Sequence, residues 1–169
     1  MKNRIIVVLL WLCASLNAFA KTPGEVDVGS SLRDAHLHGI LVADRKLSSF
    51  QGKPLLINVW ASWCGPCRQE IGSIDRLARR YGGRQFQVIG ISTDDYLDRA
   101  TLFVQRSNLS FPNFIDNQLI LENMLGANQL PLTLLIDAQG RVLYKYYGAR
   151  EWDQPDALAL IAQKLRVKL

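Results

Sequence analysis

Trp60-Ala61-Ser62-Trp63-Cys64-Gly65-Pro66-Cys67-Arg68 joins two segments of different period. Leu55-Leu56-Ile57-Asn58-Val59, before it, is a nearly unbroken apolar run, the pattern of a strand buried on both faces. After it, Cys67, Ile71, Ile74, Ala78 and Tyr81 recur at spacings of four, three, four and three, which predicts an amphipathic helix. The two cysteines therefore fall where an interior strand hands over to a helix. A thiol in the first helical turn faces unpaired backbone N–H groups and the positive end of the dipole, and both favour thiolate. Pro66 suits that turn, because its missing N–H would have had no intrahelical partner. The expectation is an exposed, activated Cys64 and a shielded Cys67 on the apolar face.

Towards the N-terminus, Met1-Lys2-Asn3-Arg4 is a basic lead, followed by an apolar segment from Ile5 to Leu16 and by Ala18-Phe19-Ala20. This order reads as a secretory signal peptide over residues 1–20, cleaved before Lys21. The alternative is an uncleaved anchor in the inner membrane, although the apolar stretch is shorter than the roughly 20 residues a spanning helix needs. Cys13 lies within the leader, and the bulky Trp11-Leu12 before it argue against a lipoprotein site. Losing Lys2 and Arg4 from 20 Lys and Arg leaves 18 against 15 Asp and Glu. That scattered excess does not suit nucleic acid or an acidic membrane surface as a partner. The remaining cysteines are Cys64 and Cys67, an adjacent pair whose tiny loop constrains an unfolded chain very little. Redox chemistry explains it better than stability does.

Residues 21–32 are polar, with Pro23, Gly24 and Gly29, and read as a flexible arm. His36 and His38 alternate in a short edge strand and so face one side. A mixed sulfur–nitrogen metal site with the cysteines is one reading; two solvent-facing residues is the plainer one, and no metal or other cofactor is expected. Phe86 to Ile91 is a second interior strand, and Ser92-Thr93-Asp94-Asp95 reads as capping chemistry for the next helix rather than as a catalytic carboxylate pair. A short extended piece at 111–116 and a short helix closed by Gly126 follow. Pro131 stands at the entry to the apolar strand Leu132–Ile136, one of the few places a strand tolerates proline. Asp137-Ala138-Gln139-Gly140 turns the chain into a returning strand, and Asp153 with Asp156 resembles a capping box for the last helix. The order predicts an α/β domain, a mixed sheet with helices on both sides.

Trp63-Cys64-Gly65-Pro66-Cys67 after a buried strand resembles the thioredoxin active site. With Asn58 to Ser62 ahead of it and Arg68 and Glu70 behind, the stretch is similar to the secreted TlpA/ResA-like branch. The resemblance implies a thioredoxin-like domain over residues 33–169, with the extra helix and strand of that branch at 95–116. It implies that Cys64 is the nucleophile, Cys67 the resolving thiol, and their disulfide the oxidised state. Pro131 would be cis, facing Cys64 with Leu130, and Trp63, Gly65 and Pro66 would shape the surface met by a substrate. Glu70, three residues after Cys67, would be an acid–base group beneath the cysteines; the plainer reading is an exposed carboxylate serving the helix dipole. Asn58 stands where cytoplasmic thioredoxins carry a buried aspartate, which shifts attention to Glu70.

By the same resemblance the expected activity is thiol–disulfide exchange, reducing a limited set of exported clients such as apocytochrome cysteines. The expected setting is the periplasm, with electrons from a membrane donor of the DsbD/CcdA type and the chain acting as a monomer. Two other functions fit the same residues: general oxidation of new secreted proteins, and non-enzymatic copper delivery through the cysteines and the histidine pair.

Overall fold

The computed structural model describes residues 22–169. The leader read over residues 1–20, Cys13 included, lies outside them. In chain order the elements are β1 (His36–Ile40), β2 (Arg45–Lys46), a 3-10 turn (Leu47–Phe50), β3 (Leu55–Trp60), α1 (Gly65–Tyr81), β4 (Gln87–Ser92) and α2 (Leu97–Arg106). They continue with β5 (Asn113–Ile115), α3 (Ile120–Leu125), β6 (Leu132–Ile136), β7 (Val142–Tyr147) and α4 (Pro155–Leu165).

The strands form one mixed sheet in the order β2-β1-β5-β4-β3-β6-β7. β3 runs parallel to β4 on one side and antiparallel to β6 on the other. All of its residues are buried, as its apolar run requires. Its pleat sends Leu56 and Trp60 into a core beneath α1, α2 and α4, and Leu55, Ile57 and Val59 into a second core with the 3-10 turn and α3. Each such aliphatic side chain contributes about 2 kcal/mol by leaving water. Asn58 shares the first of these faces and is the polar interruption in it, fully buried. α1 lays Cys67, Ile71, Ile74, Leu77 and Ala78 on the same core, the helical period read from the sequence.

Three local readings are corrected. Residues 22–32, read as a flexible arm, are fastened along the domain: Val26 N–H donates to Met124 O (2.9 Å), Gly29 N–H to Val142 O (2.7 Å) and Leu32 N–H to Gly140 O (2.9 Å). Glu25 forms a buried ion pair with Lys145 at 2.6 Å and occupies the space beside Gly126. The arm's main chain makes these three hydrogen bonds, and Val26 and Leu32 pack against the second core. Asp153 and Asp156 do not form a capping box. α4 begins at Pro155 after Gln154, while Asp153 pairs with Arg76 and Asp156 with Arg150. Asp94 does not cap α2, whose N-cap is Tyr96; its carboxylate is committed elsewhere, as described below.

His36 and His38 are both exposed on β1, and His38 Nδ1 lies 3.1 Å from Asp44. β5 and β4 separate β1 from β3, so the histidines stand about 14 Å from the strand that leads to the cysteines. The four-residue copper route is not assembled in this fold.

Candidate active site

β3 ends at Trp60 and α1 begins at Gly65, so four residues carry the chain from the sheet's centre to the helix mouth. Cys64 is the N-cap of α1, and its sulfur accepts the Cys67 N–H at 3.2 Å. Cys64 and Cys67 are joined as a disulfide, with Cα atoms 5.3 Å apart. The exposed Cys64 expected from the sequence is a correction: it is 6% accessible against 1% for Cys67. Cys64 is still the more open of the two and lines a groove of about 560 Å³. Trp63, Gly65 and Pro66 edge that groove on one side, and Leu130 lines it from the loop before β6. The Leu130–Pro131 peptide bond is cis. Trp63 is 67% exposed and lines the same groove as Cys64.

The loop that delivers Cys64 is held by a residue that sequence patterning assigned to another task. Asp94, buried, accepts the Ser62 N–H (2.9 Å), the Ser62 hydroxyl (2.6 Å) and the Ser92 hydroxyl (2.7 Å). Trp60 and Ser92 are register partners at the ends of β3 and β4, so the carboxylate ties one strand end to the loop leaving the other. Only acceptor roles are asked of its two side-chain oxygens.

Glu70 lies one turn into α1 and is 1% accessible, so the exposed-carboxylate reading is excluded. Its Oε1 accepts Asn58 Nδ2 at 2.7 Å; its Oε2 accepts the Arg150 backbone N–H at 3.0 Å and Trp152 Nε1 at 3.2 Å. Burial raises its pKa from 4.5 to about 7, against the lowering by these donors, with Glu151 adding to the rise. Asn58 Nδ2 also reaches Thr133 Oγ1 at 3.1 Å across the β3–β6 pair, and Asn58 Oδ1, buried, has no partner among the described residues. Arg150 and Trp152 belong to the strap between β7 and α4, pinned through Trp152 N–H to Ser73 Oγ at 2.9 Å. Nothing in the local sequence marked that strap as part of the site.

A seven-stranded mixed sheet with flanking helices, carrying a Cys-X-X-Cys disulfide at a helix mouth and a cis-proline ahead of the neighbouring strand, defines a thioredoxin-like thiol–disulfide oxidoreductase. The chain belongs to the Redoxin family, whose model matches residues 27–161. It is 31% identical over 141 residues to the thiol-disulfide oxidoreductase ResA of Geobacillus thermodenitrificans, covering 80% of this chain and 81% of that one. It is 35% identical over 124 residues to the thiol:disulfide interchange protein DsbE of Vibrio cholerae, covering 70% of this chain and 63% of that one. Among solved structures, one assigned to a thiol:disulfide interchange protein DsbE from Chlorobium tepidum superposes with a TM-score of 0.73 at 30% identity, covering 82% of this chain and 96% of that one. These similarities bear out the TlpA/ResA-like resemblance, the α/β thioredoxin-like fold and the enzymatic reading over the copper-delivery one.

Proposed function

We propose that this oxidoreductase works as a reductant in the periplasm, delivered by a cleaved leader at residues 1–20, on a limited set of exported clients. Cys64 thiolate attacks one sulfur of a client disulfide; a mixed disulfide forms and the client's other sulfur leaves as thiolate, taking a proton. Cys67 then loses its proton and attacks Cys64 Sγ, expelling the second client thiol. The client gains two electrons and the protein ends with the Cys64–Cys67 bond. Glu70, near neutrality and on the helix side of Cys67, accepts the Cys67 proton. Leu130 and Pro131 hold the client backbone, and Trp63, Gly65 and Pro66 form the contact surface. A membrane dithiol donor of the DsbD/CcdA type returns the protein to the reduced state, and the monomer suffices for each step.

The observation that carries this reading is a Cys64–Cys67 disulfide whose Cys64 lines one groove together with Leu130, the residue that enters the cis bond to Pro131. The reducing direction is supported by the Gly65-Pro66 pair, which leaves one fewer N–H to hold a Cys64 thiolate. Two measurements test it. Cys67→Ala, expressed with its leader, should accumulate client proteins bound to Cys64 that thiol reagents release. The reduction potential should lie near that of thioredoxin, and a value above about −150 mV would assign the protein to the oxidants instead.

A further inference from the structure

A second groove adjoins the first. It holds about 720 Å³ between the start of α1 and the outer face of α2, and Ser62, Arg68, Arg99, Leu102, Phe103 and Arg106 line it. Arg76, Arg79, Arg141 and Arg150 are each paired with a carboxylate elsewhere on the domain. Arg68, Arg99 and Arg106 form no ion pair among the described residues, and all three are exposed. Asp98 is the single carboxylate in the lining, and one of its oxygens accepts the Arg99 backbone N–H. Leu102, 48% exposed, sets an apolar step between the cations.

The groove beside Cys64 has the opposite sign: Asp95 and Glu122 line it, with no Lys or Arg. Ser62 belongs to the basic groove and Trp63 and Cys64 to the acidic one, so the redox loop lies between two fields of opposite charge. Guanidinium groups that lack an internal carboxylate are free to take one from outside, in paired N–H···O geometry. A bilayer of anionic lipid would be negative over its whole contact and would meet Asp95 and Glu122 as well as the arginines. A polypeptide can change sign along its length. Its reacting cysteine also has to reach Cys64, between the two grooves.

We propose that the α1–α2 groove docks an acidic stretch of the redox partner, so that this protein selects disulfides flanked on one side by Asp and Glu. The inference rests on exchange at Cys64 and adds the chemistry that chooses the partner.

The test uses the reduced chain without its leader and synthetic peptides closed by a Cys-X-X-Cys disulfide. The peptides are identical except for a tail of Glu, Lys or Ser, placed at either end in turn. Stopped-flow fluorescence reports the oxidation of the protein. At low ionic strength one of the Glu-tailed peptides should react about tenfold faster than its Lys-tailed counterpart, and the difference should collapse at high salt. Arg99→Glu with Arg106→Glu should reverse the order, and the two changes to Gln should abolish it, both leaving the Ser-tailed rate unchanged. Equal rates for Glu and Lys tails, or an order that survives the charge reversal, would overturn the proposal. So would binding to phosphatidylglycerol vesicles that the double change abolishes, if no tail preference accompanies it. Failure of the Ser-tailed peptide to react at all would instead strike the exchange reading itself.

Discussion

The backbone N–H of Arg150 donates to Glu70 Oε2 at 3.0 Å, across 80 residues of sequence. A strap ahead of the last helix therefore completes the surroundings of a carboxyl group that lies one turn from the cysteines. The same strap brings Trp152 Nε1 to the same oxygen, while Asn58 holds the other oxygen from the central strand.

Glu70→Gln should make the protein more stable above neutrality and slower in exchange. The native pKa of about 7 exceeds the ordinary 4.5, so Glu70 favours folding fully below pH 4.5 and that contribution is lost as pH rises through about 7. At pH 8 the ionised group costs about 3 kcal/mol at most, at roughly 1.4 kcal/mol per pH unit. A glutamine amide can be met by turning Asn58 so that its unpartnered Oδ1 accepts. Urea unfolding of the oxidised protein at pH 5.5 and pH 8 should show a smaller pH dependence for the variant, and the rate of exchange should lose its inflection near pH 7.

Asp94→Ala should destabilise the oxidised domain by about 3 kcal/mol, because it strands the Ser62 N–H and two serine hydroxyls. Asp94→Asn, which preserves shape and most of the acceptors, should cost less than half as much. Chemical denaturation measures both. A loss in the alanine variant no larger than that in asparagine would mean that the hydrogen bonds are not what holds the loop.

After reduction, Cys64 should be alkylated at least about tenfold faster than Cys67. It caps the helix, receives an N–H at its sulfur and opens onto the groove, whereas Cys67 is turned into the core. Mass spectrometry after a brief exposure to iodoacetamide gives the ratio directly.

Gly126→Ala should cost about 2 kcal/mol. Gly126 has φ +75°, and a Cβ there would run into the carboxylate end of Glu25. Adding Glu25→Ala should recover part of that loss, and a double-mutant cycle read by denaturation should show coupling between positions 25 and 126. Strict additivity would mean that the cost is backbone strain alone.

The centre of the fold was legible because its signals are local. Leu55–Val59 alternates between two cores, Cys67 to Tyr81 keeps one helical face, and Pro131 announces the entry of β6. The surroundings of the site were less so, because their partners are distant. Ser92-Thr93-Asp94-Asp95 is the same pattern whether Asp94 caps the next helix or reaches back 32 residues to Ser62. Glu70 carries no mark of burial in its own turn, since Asn58, Arg150 and Trp152 are what enclose it. The arm misled for a related reason: a polar segment can be fixed by its main chain, and composition does not record that.

The sulfurs and the proline turn leave from neighbouring strands, β3 and β6, whose ladder runs unbroken from Leu55–Ile136 to Val59–Leu132. Their spacing is thus set at the middle of the sheet and insulated from its margins. Length changes in the turn between β1 and β2, at 41–44, would alter the periphery and leave the reacting geometry untouched. That margin is where a lineage can diversify while its chemistry stays constant.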